Sequence, residues 1–429
     1  MDEEGGLITD KVARERGMTI PYQGINHYRV ALNSNVLLNG GQLKSTFAFQ
    51  NNIRKEFEES AEEPGLHLDL ASYTYDIKYS FPSKGQWEPT IGLQGMYQQN
   101  VNKGDEYLIP DYNSNNVGFF GYLKRNFEKG AVNFGLRYDY KKVNGRELYD
   151  EDGNMVFTSF QNQFSNVSGS IGLSYEFTKD LIFRANAGSG FRAPNIAEMG
   201  ANGRHEGTFR YEIGNPDLKQ ETSLQFDLGL TYTSANITMG INAYSNRIYN
   251  YIYAGNFNGE TLPFTDEEGL STTLPVYRFV QTNADLLGAE ASVDFHLVKA
   301  IHFENTFSYV KGTNRASHSP LPFIPAASLS NELRFEPEIK GIHDGFIRFG
   351  LNHAFKQGRF DTFETRTDGY TLIEAGIGGA FKVKQGKINV WLSGQNLSNK
   401  LYFNHLSRYK PVGIYNPGRN ISFGVNIPI

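Results

Sequence analysis

Gly418-Arg419-Asn420-Ile421-Ser422-Phe423-Gly424-Val425-Asn426-Ile427-Pro428-Ile429 closes the chain. Ile421, Phe423, Val425, Ile427 and Ile429 alternate with Asn420, Ser422, Gly424 and Asn426. Alternate residues of a strand point to opposite faces, so one face here is bulky and apolar and the other small and polar. The pattern recurs upstream. Val132, Phe134, Leu136, Tyr138 and Tyr140 alternate with Asn133, Gly135, Arg137 and Asp139; Val167, Ile171, Leu173, Tyr175 and Phe177 are interleaved with Ser168, Ser170, Ser174 and Glu176. Leu224, Phe226, Leu228, Leu230 and Tyr232 are interleaved with Ser223, Gln225, Asp227, Gly229 and Thr231. A charged side chain on the inner face is stable only where that face is wet or paired. Asp139, Glu176 and Asp227 therefore fit a water-filled lumen better than a dry sandwich core.

The connections alternate in length as well. Short turns fall at Asn39-Gly40-Gly41, Glu128-Lys129-Gly130, Thr178-Lys179-Asp180, Ser234-Ala235-Asn236 and Lys384-Gln385-Gly386. Long polar segments run from Arg192 to Lys219, Ala254 to Pro275 and Gln357 to Asp368. Short turns on one rim and long loops on the other are the outer-membrane arrangement. The expected fold is all-β, an antiparallel transmembrane β-barrel of about 17 strands, mostly longer than the roughly 9–11 residues that cross a bilayer. Residues 1–24 read as a polar arm and 25–429 as the barrel. The competing reading is a large soluble β-protein, which alternation alone would also allow.

Composition agrees. Phe 32, Tyr 25 and Gly 45 suit long strands with aromatic girdles, and a mean hydropathy of −0.46 suits strands with a polar face, not membrane helices. No run of about 18 apolar residues could span as a helix. A net charge of −5 argues against nucleic acid as a partner. Without cysteine there is no thiol catalysis, disulfide or cysteine metal site. Gly-x-Ser-x-Gly, His-Glu-x-x-His and phosphate-cradling Gly-Lys-Thr sequences do not occur, so no enzyme is expected. Met1-Asp2-Glu3-Glu4-Gly5-Gly6 has neither the basic nor the apolar region of a secretory signal, although a membrane barrel must be exported.

Three segments carry a more specific signal. They are Gly188-Ser189-Gly190-Phe191-Arg192-Ala193-Pro194-Asn195-Ile196-Ala197-Glu198, then Gly214-Asn215-Pro216-Asp217-Leu218-Lys219-Gln220-Glu221-Thr222-Ser223, then Asn396-Leu397-Ser398-Asn399-Lys400-Leu401-Tyr402 with Asn416-Pro417-Gly418-Arg419. In order and spacing the chain resembles the C-terminal barrel of TonB-dependent outer-membrane receptors. It departs from their pattern at Gln220, where proline is usual, at Ser398-Asn399 in place of Phe-Asp, and at the non-aromatic terminal Ile429. Phe191, Arg192, Pro194, Asn215, Pro216, Asn396, Pro417, Gly418 and Arg419 read mainly as structural punctuation, since proline stops ladder pairing and Asn-Pro sequences start turns; direct substrate contact is the alternative.

The resemblance implies a Gram-negative outer-membrane importer of a scarce ligand, a ferric siderophore first, with haem, cobalamin, a glycan or a passive porin-like pore as alternatives. It implies no enzymatic cofactor. It implies as partners a TonB-type energy-coupling protein acting through a plug, the barrel-assembly machinery, outer-membrane lipid and a small metal chelate. Such receptors have an N-terminal plug inside about 22 strands, so this chain is expected to correspond to about the sixth strand onward. Candidate ligand contacts are Arg204, His205, Arg210 and Tyr211, then Arg315 with His318, then Arg359, Phe360 and Arg366. Guanidinium groups bind anionic chelates through charge-assisted hydrogen bonds and stack on aromatic surfaces. Glu206, Glu212 and Asp217 share the first loop, so solvated loop charge is the simpler reading there. His205 and His318 could bind haem iron, and Asp266-Glu267-Glu268 calcium, each against ordinary polar surface. Tyr249, Tyr251 and Tyr253 read as an interfacial girdle, or as a stacking platform.

Overall fold

A computed structural model describes residues 20–57, 60–150, 152–205, 210–265, 271–384 and 386–427, the side chains of His205, Phe264, Thr265 and Leu297 excepted. One antiparallel meander dominates it. Its strands are β1 (Tyr22–Leu38), β2 (Gly41–Phe57), β3 (Leu66–Ser80), β4 (Trp87–Asn102), β5 (Tyr112–Phe127), β6 (Gly130–Gly145), β7 (Phe160–Thr178), β8 (Leu181–Arg192) and β9 (Glu221–Thr233). They continue with β10 (Ile237–Gly255), β11 (Ser271–Val298), β12 (Ile301–Asn314), β13 (Ser328–Phe335), β14 (His343–Ala354), β15 (Tyr370–Val383), β16 (Gly386–Gln395) and β17 (Asn420–Asn426). Each pairs with the next in sequence. Among the described residues the main sheet has 20 strands, of which the three at 202–205, 210–213 and 261–265 are short loop segments; the other seventeen match the expected count. The five short turns read from the sequence all lie on one rim, and the long connections on the other.

Alternation has the expected physical result. On β9, Leu224, Phe226, Leu228, Leu230 and Tyr232 are all solvent-exposed, and in register they face Ala185 and Ala187 on β8 and Ala243 and Ile241 on β10. Leu136 is 64% exposed, Leu228 55% and Phe423 69%. Soluble monomers do not show such rows of large apolar residues, whereas lipid requires them. The opposite face is a polar ladder. Thr46 donates to Asn33 Oδ1 at 2.9 Å, Gln94 Nε2 to Asp76 at 2.5 Å and Arg137 Nη1 to Gln94 Oε1 at 2.7 Å. Arg137 also pairs with Asp139 at 2.7 Å, and Gln225 donates to Asp227 at 2.7 Å. Asp139 and Asp227 are thus paired on the wet face, while Glu176 lies exposed near the short-turn rim.

Strand lengths run from 7 residues in β17 to 28 in β11, most of them longer than a bilayer crossing needs. Two expectations change in detail. Strand β1 begins at Tyr22, inside the segment read as an arm. The described residues of Ala254–Pro275, read as loop, are largely strand: β10 reaches Gly255, β11 starts at Ser271, and Thr261–Thr265 pairs with Ser271–Pro275. In the other direction, β13 starts only at Ser328, because Pro320, Pro322 and Pro325 cannot donate to the ladder. Among the described residues β1 pairs only with β2 and β17 only with β16.

Candidate functional site: the long-loop rim

The rim is anchored at the top of β8. Arg192 Nε donates to Glu221 Oε2 at 2.6 Å, and Nη1 to both oxygens of Glu198 at 2.8 Å. Glu221 Oε1 also accepts the Ile252 N–H at 2.6 Å, so one carboxylate ties β8, β9 and β10 together. Glu198 belongs to α1 (Ile196–Gly200), a single turn opened by Asn195 in a reciprocal capping box: Asn195 Oδ1 accepts Glu198 N–H at 2.9 Å, and Glu198 Oε2 accepts Asn195 N–H at 2.8 Å. Met199 and Ala193 then bury against Val143 and Phe164, with Phe191 packed at the edge. The returning chain crosses the end of α1 at Gly214. A Cβ there would lie 2.5 Å from Gly200 N, so only glycine passes. Asn215 N–H closes the crossing on Glu198 O at 2.8 Å, and Pro216 O accepts from Asn162. Phe191, Arg192, Pro194, Asn215 and Pro216 therefore meet in one joint.

The third motif makes a second joint. Asn396 is buried; its Nδ2 donates to Lys400 O and Pro417 O at 2.9 and 3.3 Å, and its Oδ1 accepts Lys400 N–H at 2.8 Å. Asn399, in the left-handed region at φ 52°, accepts the Arg419 N–H at 3.0 Å, beside Gly418.

The candidate cations are mostly neutralised where they stand. Arg204 pairs with Glu106 at 3.3 Å, Arg315 with Asp285 at 3.5 Å and Arg366 with Asp368 at 2.8 Å. Arg210 pairs with the buried Glu212 and stacks over Tyr277, 4.7 Å from its ring centre. Tyr211 donates to Asn202 at 3.1 Å. Arg204, Arg210 and Tyr211 share a hairpin, Asn202–His205 with Arg210–Ile213, laid parallel against Val276–Arg278 of β11. The His205 side chain, Glu206 and Asp266-Glu267-Glu268 lie outside the described residues. Arg359 is exposed beside the half-buried Phe360, its N–H bonded to Gln357 Oε1 at 2.9 Å, and His318 is exposed at φ 56°. The residues proposed from sequence thus lie in separate groups, with four of the five arginines ion-paired, and not in one cationic pocket.

Sequence reasoning reached only the tyrosine end of an aromatic seam, through the stacking-platform alternative. Tyr251 and Tyr253 stack at 5.9 Å, Tyr253 meets Phe257 edge-on at 5.8 Å, and Phe257 meets Phe363 at 5.9 Å. Phe363 also contacts Tyr277 at 5.9 Å and Phe323 at 6.0 Å. Gly255 makes room: a Cβ there would lie 2.6 Å from Phe257 and 2.7 Å from Phe363. Each such pair contributes about 0.5–1.5 kcal/mol beyond burial. The girdle reading of three aligned tyrosines is corrected here. Asn250 adopts φ 55° and the register with β11 slips between Ile248 and Tyr251. The bulge reverses the facing: Tyr249 is exposed in line with the outer face, while Tyr251 packs on the cluster of Ile248, Ala284 and Leu321.

A polar node links the loops after β14 and β16. Glu364 accepts the N–H groups of Phe323 and Asp361, both at 3.1 Å, and lies 3.4 Å from Nε2 of buried His405, within ion-pair distance but outside hydrogen-bond geometry. Thr367 Oγ1 and His405 Nδ1 are 2.8 Å apart, and Lys410 Nζ donates to Thr367 Oγ1 at 2.6 Å. Burial acts to raise the Glu364 carboxyl, but His405 and the two N–H donors outweigh it and hold the group below its ordinary range. Burial pushes the Lys410 ammonium down, against the pull of Glu364.

The wall and rim match known proteins. The family described as "TonB dependent receptor-like, beta-barrel" matches residues 13–397. The iron-regulated outer membrane virulence protein of Vibrio cholerae is 21% identical over 349 residues, which are 79% of this chain and 48% of that protein. The ferric enterobactin receptor of Pseudomonas aeruginosa is 22% identical over 276 residues, 59% of this chain and 36% of its own length. The chain therefore spans about half the length of the first of these relatives or less. Among solved structures, the copper transporter OprC superposes with TM-score 0.73 at 17% identity, covering 94% of this chain and 65% of that one. The FrpB iron transporter of Neisseria meningitidis gives 0.69 at 15%, covering 94% and 63%. A family match over most of the chain, the lipid-facing strands and the rim asymmetry agree: the chain belongs to the TonB-dependent receptors, as β-barrel of the Gram-negative outer membrane.

Proposed function

We propose that this barrel serves an energy-coupled importer of a scarce metal chelate, a ferric siderophore first. The observation that carries the reading is the rim: a seam of six aromatic rings, from Tyr251 to Phe323, above a polar inner wall, with most of the candidate arginines already paired. Such a surface recognises a bulky chelate by ring contact and tyrosine hydroxyls more than by net charge. Names such as ferric enterobactin receptor among the relatives support this choice. Arg359 and Phe360, in the same loop as Phe363, remain the candidate contacts least committed to internal pairs. Among the described residues β1 and β17 each have one partner strand, and lipid leaves no strand edge unpaired; on this reading their other edges are paired within the same barrel. A plug and a TonB-type coupling protein then drive release, and the barrel-assembly machinery inserts the protein.

The test is calorimetric titration of the intact protein, extracted from outer membranes, with a ferric catecholate, a ferric hydroxamate, haem and cobalamin. Tight binding of one ferric chelate, weakened roughly tenfold by Tyr253→Ala or Phe363→Ala, is the expected outcome. Binding of haem or cobalamin alone would replace the siderophore. Binding of none would overturn the importer reading.

A further inference from the structure

We propose a transition-metal site on the inner face of the short-turn rim, formed by Asp294 and His296 of β11 and His302 of β12. The donor atoms of these three side chains all lie within 4.8 Å of one another. Asp294 and His296 are two apart on one strand and so share a face; His296 and His302 face each other in register across the turn at 299–300. Phe295, between the two donors, is exposed on the outer face, which places them on the polar side of the wall. His296 Nε2 is 3.1 Å from Asp294 Oδ2, and the two imidazoles meet edge-on at 4.7 Å.

Metal–nitrogen and metal–oxygen bonds of about 2.0–2.2 Å put neighbouring tetrahedral ligands about 3.3 Å apart. The Asp294–His296 spacing already meets that, and rotation of His302 about its side chain completes the triangle. Two further observations favour a cation. Asp294 Oδ1 is buried with no hydrogen-bond partner, a state that costs free energy until a cation or donor reaches it. The surroundings are acidic: Glu304 lies directly opposite Asp294 in register, and Glu336 Oε2 is 3.7 Å from His302 Nε2. The facing cation, Arg334, is engaged by Glu336 at 2.6 Å and by the Phe346 ring at 4.8 Å. Two imidazoles and a carboxylate suit Zn2+, with Cu2+ and Ni2+ as competitors, and leave a fourth position for water or for a donor from another segment.

The plain alternative is an ordinary Asp–His hydrogen bond beside a histidine pair. Untagged protein from outer membranes, stripped with chelator, is dialysed against Zn2+ and assayed for bound metal, with Co2+ absorption as a second probe. Heat-modifiable migration on gels verifies that each variant is folded. The expected result is one Zn2+ per chain and Co2+ bands of tetrahedral intensity, with affinity reduced roughly tenfold or more in Asp294→Asn and binding lost in His296→Ala/His302→Ala. No bound Zn2+, or the same stoichiometry and affinity in folded Asp294→Asn as in the parent, would overturn the site. Because the readout is metal and not uptake, it is independent of the chelate that the rim selects.

Discussion

The wall and the rim are built from the same amino acids by different rules. Along β9 every second residue meets lipid and the rest meet water, and each contact is set by strand parity. At the rim, Arg192, Glu198 and Glu221 hold three segments through one charge cluster, and Phe363 gathers rings from three other segments. The wall spreads its stability over many equivalent positions, whereas the rim concentrates it in a few that have no substitute. Loops that must expose a binding surface cannot bury enough apolar area to be redundant.

The contrast predicts a graded series. Leu228→Arg, near the middle of the lipid face, should destabilise the folded barrel by about 2–4 kcal/mol, while Asp227→Asn next to it on the wet face should stay within about 0.5 kcal/mol; urea unfolding in lipid vesicles measures both. Equal losses at the two positions would break the parity argument. Arg192→Ala strands the carboxylates of buried Glu198 and partly buried Glu221. Discounted for the partial exposure of the arginine, the cost is about 2–3 kcal/mol. It should appear as rapid protease cleavage within 193–220 with the barrel intact. Asn195→Ala removes only the cap and should cost about 1 kcal/mol, with slower cleavage at the same sites. Arg366→Ala, whose partner Asp368 is largely exposed, should cost less than about 0.5 kcal/mol.

A pH series sharpens the same comparison. The Glu364 carboxyl is held below its ordinary value, so its ionised form contributes stability that is present above the unfolded carboxyl range and is lost as pH falls through the lowered one. Acidification should release the loops 355–369 and 402–412 before the wall responds, seen as protease access there. Glu364→Gln should weaken the loops at neutral pH and abolish their acid step. An unchanged acid step in that variant would assign it to another group.

The same distinction decides what could be read from the chain alone. Strand parity is a local signal, and β6, β7, β9 and β17 are legible from it. So are the short turns, through their glycines and polar residues. The rim is legible only in part. Pairing of Arg204 with Glu106 spans 98 residues, beyond any local pattern. Arg210–Glu212 and Arg366–Asp368, however, are two apart, the spacing that puts opposite charges on one face of an extended segment; that signal was present and marks these arginines as paired. The tyrosines at 249, 251 and 253 deceived because Asn250 inserts a bulge that no periodicity announces. Asp294-x-His296 before a two-residue turn is a readable metal-ligand spacing once the hairpin is recognised.

The most direct measurement is a cysteine scan, for which a chain without cysteine is a clean background. Single cysteines are placed at positions 223–231 of β9, at Thr362 in a long loop and at Lys179 in a short turn, then labelled in intact and in permeabilised cells. The wall-and-rim account predicts water-borne labelling that alternates with period two along β9, reaching positions 225, 227 and 229 but not 226, 228 and 230. It predicts labelling at 362 in intact cells and at 179 only after permeabilisation. Uniform aqueous labelling along β9, or label at 179 in intact cells, would contradict it.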